Sequence, residues 1–132
     1  MSTLKTSNIQ DTSGNNNSTP EEINEGRAKA WLNFKGDGTA AIRDSFNISS
    51  LTDNGTGDYT IAFTTSFSDT NYCVVMGSYN SNNGDGSWNA VGSSTTNAYP
   101  AGVATGSVRL NTYNSGGSPQ DQQAVYVAVF GD

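Results

Sequence analysis

The 132-residue chain contains no histidine. This removes the commonest general base, the usual catalytic zinc ligand and every Ser-His-Asp arrangement, so hydrolysis by an activated serine is not expected. A carboxylate pair of the glycosidase kind is the remaining route to catalysis, with Asp44, Asp53, Asp58, Asp69 and Asp85 available. All but Asp44 sit in turn-like sequence, where aspartate commonly bonds its own backbone. No catalytic residue is assigned. The segment Asp53-Asn54-Gly55-Thr56-Gly57-Asp58 has the oxygens and glycines of a calcium loop but lacks the downstream bidentate glutamate. It reads as a connection between strands, and neither a metal nor a cofactor is expected. The single cysteine, Cys73, lies in Tyr72-Cys73-Val74-Val75-Met76, a strand-like run in which a buried, inert thiol is expected.

Recognition chemistry is better represented. Tyr79, Trp88, Tyr99 and Tyr113 are interleaved with Asn80, Asn82, Asn83, Asn89 and Asn114. Such a mixture stacks on sugar rings while amides and hydroxyls meet the sugar hydroxyl groups. The four aromatics are candidate glycan or partner contacts. The competing reading makes them core or interface plugs, and Trp88 within Ser87-Trp88-Asn89-Ala90-Val91 fits that equally well.

The elements that must carry these residues are strands. Ser, Asn, Thr and Gly fill 63 of 132 positions, which disfavours helix because the three polar types compete for backbone hydrogen bonds and glycine is costly to order. From residue 27 the apolar period is two. Ala28, Ala30, Leu32 and Phe34 share one face and Lys29, Trp31, Asn33 and Lys35 the other. Ile42, Phe46 and Ile48 are expected on one face of the next run, and Tyr59, Ile61 and Phe63 on one face of the run after the Asp53–Asp58 hinge. Further strands are predicted at 72–79, 88–91, 106–113 and 124–130. Seven or eight short strands without a crossover helix imply an all-β antiparallel β-sandwich or jelly roll over residues 27–132.

Ala124-Val125-Tyr126-Val127-Ala128-Val129-Phe130 is apolar on both faces, so either it lies centrally under a loop or its outer face meets another subunit. Tyr126, Ala128 and Phe130, with Trp31 on the polar face of the first strand, are candidate subunit-interface residues. Residues 1–26 form a polar leader with Leu4, Ile9 and Ile23 as isolated apolar points. A helix start is written at Ser18-Thr19-Pro20-Glu21-Glu22, closed by Gly26. The leader has no core of its own and reads as a docking segment, with those three side chains as its contacts.

The net charge is −6, and residues 51–132 hold six acids against Arg109 alone. Phosphate backbones are repelled, so nucleic acid is not an expected partner. No apolar run approaches the roughly 20 residues of a spanning helix, and the first residues have no apolar core of the signal-peptide kind. A soluble product made in a cytoplasm is expected, with no membrane partner.

Four ordered motifs carry a family likeness: 4–11 (Leu-Lys-Thr-Ser-Asn-Ile-Gln-Asp), 26–34 (Gly-Arg-Ala-Lys-Ala-Trp-Leu-Asn-Phe), 42–50 (Ile-Arg-Asp-Ser-Phe-Asn-Ile-Ser-Ser) and 53–60 (Asp-Asn-Gly-Thr-Gly-Asp-Tyr-Thr). Together with the closing 126–130 pattern they resemble a family of tailed-bacteriophage structural proteins, found as tail-fibre-like modules and small virion proteins in phages of marine bacteria and cyanobacteria. The resemblance spans residues 4–79. It implies a β-rich homotrimeric virion subunit, with the N-terminal segment toward other virion proteins and distal loops toward solvent and host-surface polysaccharide. It supplies no catalytic residue. The expected function is that of a tail-fibre-like or appendage subunit. The alternative is a head or tail decoration protein with a mechanical role, and a glycan depolymerase ranks behind both.

Overall fold

In the computed structural model the described residues are 2–81, 87–92 and 102–131, the side chains of Ser87 and Trp88 excepted. Within them lie one short helix, α1 (Pro20–Glu25), and nine strands: β1 (Ala30–Lys35), β2 (Ala41–Phe46), β3 (Ile48–Gly55), β4 (Asp58–Phe63), β5 (Cys73–Tyr79), β6 (Ser87–Val91), β7 (Val103–Ala104), β8 (Ser107–Asn114) and β9 (Ala124–Phe130). They form two antiparallel sheets, one ordered β2-β1-β9-β5 and the other β3-β4-β8-β6, with β7 also paired to β8. The protein is an all-β sandwich, as the period-two runs imply.

The core is what those runs bury between the sheets. β1 contributes Ala30, Leu32 and Phe34, and β9 contributes Val125, Val127 and Val129. From the facing sheet come Tyr59, Ile61 and Phe63 of β4 and Val108 and Leu110 of β8, each no more than 6% exposed. Each fully buried aliphatic or phenylalanine side chain contributes about 1.5–3 kcal/mol of transfer free energy. Phe67 and Tyr72 close one end against Phe63, with ring centroids 4.8 and 5.8 Å from it. The Tyr72 hydroxyl donates to the Ala104 carbonyl at 2.9 Å, which keeps its polar end satisfied.

One sequence expectation is corrected here. Ile42, Phe46 and Ile48 do not share a face. The β1–β2 register shifts between Asn33 and Phe34, so that Asn33 opposes Asp44 while Phe34 opposes Ile42, leaving Arg43 as the extra residue of a bulge. Ile42 therefore pairs with an inward residue and Phe46 with the outward Trp31. The chain then turns at Asn47, whose φ of 56° is left-handed, and Ile48 begins a strand of the opposite sheet.

Asn47 makes that crossing rigid. Its side-chain amide donates to the carbonyls of Lys29 at 3.0 Å and Thr65 at 3.1 Å, and its side-chain oxygen accepts from the Thr65 N–H at 2.7 Å. At the β3–β4 turn, Gly57 has φ +66°, and a Cβ there would collide with the Thr112 carbonyl oxygen. Only glycine satisfies both conditions.

Across β4 and β8, the Arg109 Nε donates to Asp58 Oδ1 at 2.7 Å and its terminal nitrogen donates to Oδ2. This paired hydrogen bond, assisted by the Asn54 amide and opposed by burial, holds the Asp58 carboxyl below the usual carboxylate range. A lowered folded-state pKa stabilises the fold above the unfolded value near 3.9, and that contribution is lost as pH falls through the folded value. Acid titration of the unfolding free energy should therefore decline from about pH 4 downward. Asp58→Asn should cost about 1.5–3 kcal/mol at pH 7 and flatten part of that acid slope. Equal slopes in the two proteins would show that the pair contributes nothing.

Candidate functional site

β9 and β5 each bury one apolar face and present another, and β1 presents Trp31 on its otherwise polar outer face. Pairing in register aligns the second faces, because residues directly opposite one another in antiparallel strands project to the same side. Phe46 opposes Trp31, Trp31 opposes Ala128, and Ala128 opposes Val75. The result is a continuous apolar row across all four strands, about 14 Å long at ordinary strand spacing. Phe46 is 54%, Trp31 38% and Val75 55% exposed. In the next row Tyr126 lies between Asn33 and Gly77 and is itself half exposed. A Cβ at Gly77 would meet Tyr126 Cδ2 at 4.0 Å, an ordinary van der Waals contact, so the ring lies over Gly77 without crowding it. A shallow depression between β1, β9 and β5 is lined by Trp31, Val75, Tyr126 and Ala128.

The candidate subunit-interface residues Trp31, Tyr126 and Ala128 thus come together on this outer face. Phe130 is half-buried at the end of β9, opposite Cys73. The expected buried thiol is corrected: Cys73 is exposed. It shares the outward alternation of Val75, and the inward positions of β5 belong to Val74 and Met76, which pack against the core. Sequence reasoning missed Phe46 and Val75 as members of this face. The bulge hid the first, and the second could have been found by applying to residues 72–76 the two-faced reading given to 124–130.

Of the candidate glycan aromatics, Tyr79 and Tyr113 lie in different sheets. Tyr79 ends β5 in the four-stranded sheet and is 57% exposed. Tyr113 is half-buried in β8 of the other sheet, with Trp88 opposite it in the β6–β8 register. Tyr99 lies outside the described residues.

Among the carboxylates, Asp53 and Asp69 accept from the N–H groups of Gly55 and Asn71 two residues on, and Asp44 accepts from the Ser45 N–H. Asp58 is engaged by Arg109, and Asp85 lies outside the described residues. No group of three acidic or thiol side chains converges to hold a metal among the described residues.

The leader is built from its own short-range bonds. Ile9 and Ser18 form an antiparallel bridge, and Asp11 accepts from the N–H groups of Ser13 and Asn15 in the loop between them. Thr19 caps α1 in a reciprocal box with Glu22, and Gly26 follows its last turn. No residue of α1 is buried. Leu4, Ile9 and Ile23 nevertheless line one hollow together with Pro20. Three isolated apolar points in the sequence are one patch in space.

Comparison of the chain with protein-family models, with curated proteins and with solved structures gave no match in any of the three.

The two faces of β5 make separable predictions. In dilute protein, Val75→Asp should change the unfolding free energy by no more than about 0.5 kcal/mol, because the side chain meets solvent. Val74→Asp should cost about 3 kcal/mol or more by placing a carboxylate against the core. Chemical denaturation of both variants checks the assignment, and comparable losses would overturn it.

Proposed function

We propose that this protein is a structural subunit of a tailed-bacteriophage virion. It assembles as a homotrimer through the outer face of the β2-β1-β9-β5 sheet, attaches to other virion proteins through residues 1–26, and meets host-surface glycans with its distal loops. The observation that carries the reading is the Phe46–Trp31–Ala128–Val75 row, an aromatic-rich apolar strip on a rigid sheet. Tryptophan and tyrosine at the centre of such a patch are the residues that dominate interface energetics. The four ordered motifs between residues 4 and 60 support the phage assignment. The apolar hollow of the leader, outside the sandwich core, supports a docking role. The same leader suits a decoration protein with a mechanical role, and location of the chain on the particle separates the two.

The expected mass in solution is about three times the 13.8 kDa of the chain. Trp31→Glu combined with Val75→Asp should reduce it to that of one chain. In the assembled wild type, Cys73 should react with a thiol reagent at least tenfold more slowly than in that variant. Sedimentation and thiol titration read both. A wild-type protein that stays monomeric at high micromolar concentration with fully reactive Cys73 would sink the assembly. Failure of the purified oligomer to compete with phage for host cells would sink the attachment role and leave decoration.

A further inference from the structure

The β3–β4 hairpin carries an Asn-Gly pair, Asn54-Gly55, at its exposed end. An asparagine side-chain amide is open to attack by the next backbone nitrogen, and glycine in the next position has no Cβ to obstruct the approach. Three features of the structure leave this pair accessible. Asn54 is the extra residue of a bulge, since Asp53 opposes Tyr59 while Gly55 opposes Asp58, so no residue lies opposite it. Asn54, Gly55 and Thr56 are all exposed, and nothing lies within 4 Å of where a Gly55 Cβ would be, so water reaches the pair. The bond that the Gly55 N–H makes to Asp53 Oδ1, at 3.0 Å, is to an exposed side chain and opens without disturbing the core.

We propose that Asn54 is a site of spontaneous deamidation, and that its products loosen the Asp58–Arg109 pair. The Gly55 nitrogen loses its proton to solvent and bonds to Asn54 Cγ. The Cγ–Nδ2 bond breaks, and the departing nitrogen takes up a proton and leaves as ammonia. Water then opens the resulting succinimide. Cleavage between the nitrogen and Cγ yields aspartate, and cleavage between the nitrogen and the backbone carbonyl carbon yields isoaspartate, with the chain rerouted through the side chain. Overall one water is consumed and one ammonia released. The asparagine form supports the ion pair, because Asn54 Nδ2 donates to Asp58 Oδ1 at 3.3 Å and to Thr60 Oγ1 at 2.9 Å. Aspartate replaces that donor with a second carboxylate, which repels Asp58 and competes with it for Arg109. Isoaspartate adds a backbone atom just before Gly57, which lies tight against the Thr112 carbonyl and accepts from the Thr112 N–H at 2.8 Å. The inference does not depend on the virion assignment, since it rests on the hairpin alone.

The test is incubation of the full-length protein in mildly alkaline buffer, followed by peptide mapping that separates aspartate from isoaspartate. Conversion at Asn54 is expected to run at least tenfold faster than at Asn47, which precedes Ile48 and whose amide is tied to two carbonyls. Asn54→Gln, whose larger ring closes more slowly, should reduce conversion at that position at least tenfold. The second Asn-Gly pair, Asn83-Gly84, lies outside the described residues, and the mapping resolves it. Asn54→Asp, made directly, and the aged wild type should both unfold at lower denaturant concentration than fresh protein at neutral pH. In an Asp58→Asn background the Asn54→Asp shift should fall by at least half, as expected for two coupled positions. Conversion at Asn54 no faster than at Asn47, or undiminished in Asn54→Gln, would overturn the site. An unshifted midpoint in Asn54→Asp, or an equal shift with and without Asp58, would overturn its effect on the ion pair.

Discussion

The register of β9 between β1 and β5 decides both the core and the surface of this molecule. Val125, Val127 and Val129 fill the interior while Tyr126, Ala128 and Phe130 form part of the outer face. A slip of one residue would exchange the two sets, and both are apolar, so hydrophobic burial alone selects the register weakly. The selection must come from elsewhere. It comes from the segment just before the strand. The Gln122 carbonyl accepts from the N–H groups of Gly36 at 2.9 Å and Asp37 at 3.1 Å. The Gln122 side-chain amide, fully buried, donates to the Tyr113 carbonyl at 3.1 Å. Arg43 donates to the Gln123 carbonyl at 2.7 Å, and the Asn80 amide to that of Asp121.

Asp121 also ties in the other sheet. Its carboxylate accepts from the Tyr59 hydroxyl and from the Gly57 N–H, both at 2.7 Å. Burial, and then the neighbouring Asp121 carboxylate, push the Tyr59 phenol well above its ordinary titration range, so the hydroxyl stays a donor. The polar end of an otherwise apolar ring thereby anchors the start of β9 to the β3–β4 turn. Each buried bond of this kind contributes only about 0.5–1.5 kcal/mol net. Their joint effect is specificity, because a shifted β9 would leave several buried polar groups unpaired at once.

The local part of this organisation was legible in the sequence. The alternation in residues 28–35 and 59–63 placed the core residues of β1 and β4 correctly, because a half-buried strand writes its inward face at period two. The bulge at Arg43 was not legible, since it exists only against β1 and no local pattern marks it. It separates Phe46 from the face of Ile42 and places it in the exposed row. Cys73 was misplaced for a related reason. A strand apolar on both faces gives no phase, and Val74 and Met76 took the inward positions. The corner at Asn47 joins segments separated by 18 residues through a single left-handed asparagine, a long-range juxtaposition that spacing cannot reveal. The gathering of Leu4, Ile9 and Ile23 likewise depends on the Ile9–Ser18 bridge.

The sheet edges argue for association through the face. β2 carries the Arg43 bulge, and its exposed residues include Arg43 and Asp44. β3 is interrupted by register shifts at both ends and is lined by Ser49, Ser50, Thr52, Asp53 and Asn54. Bulges and charges at an edge oppose the addition of a further strand. Trp31 and Tyr126, by contrast, sit on β1 and β9, which are paired on both sides within the sheet, so covering them buries apolar area without demanding new main-chain partners. Polar residues and bulges thus close the β2 and β3 edges, and the apolar strip lies on the face beside the first of them.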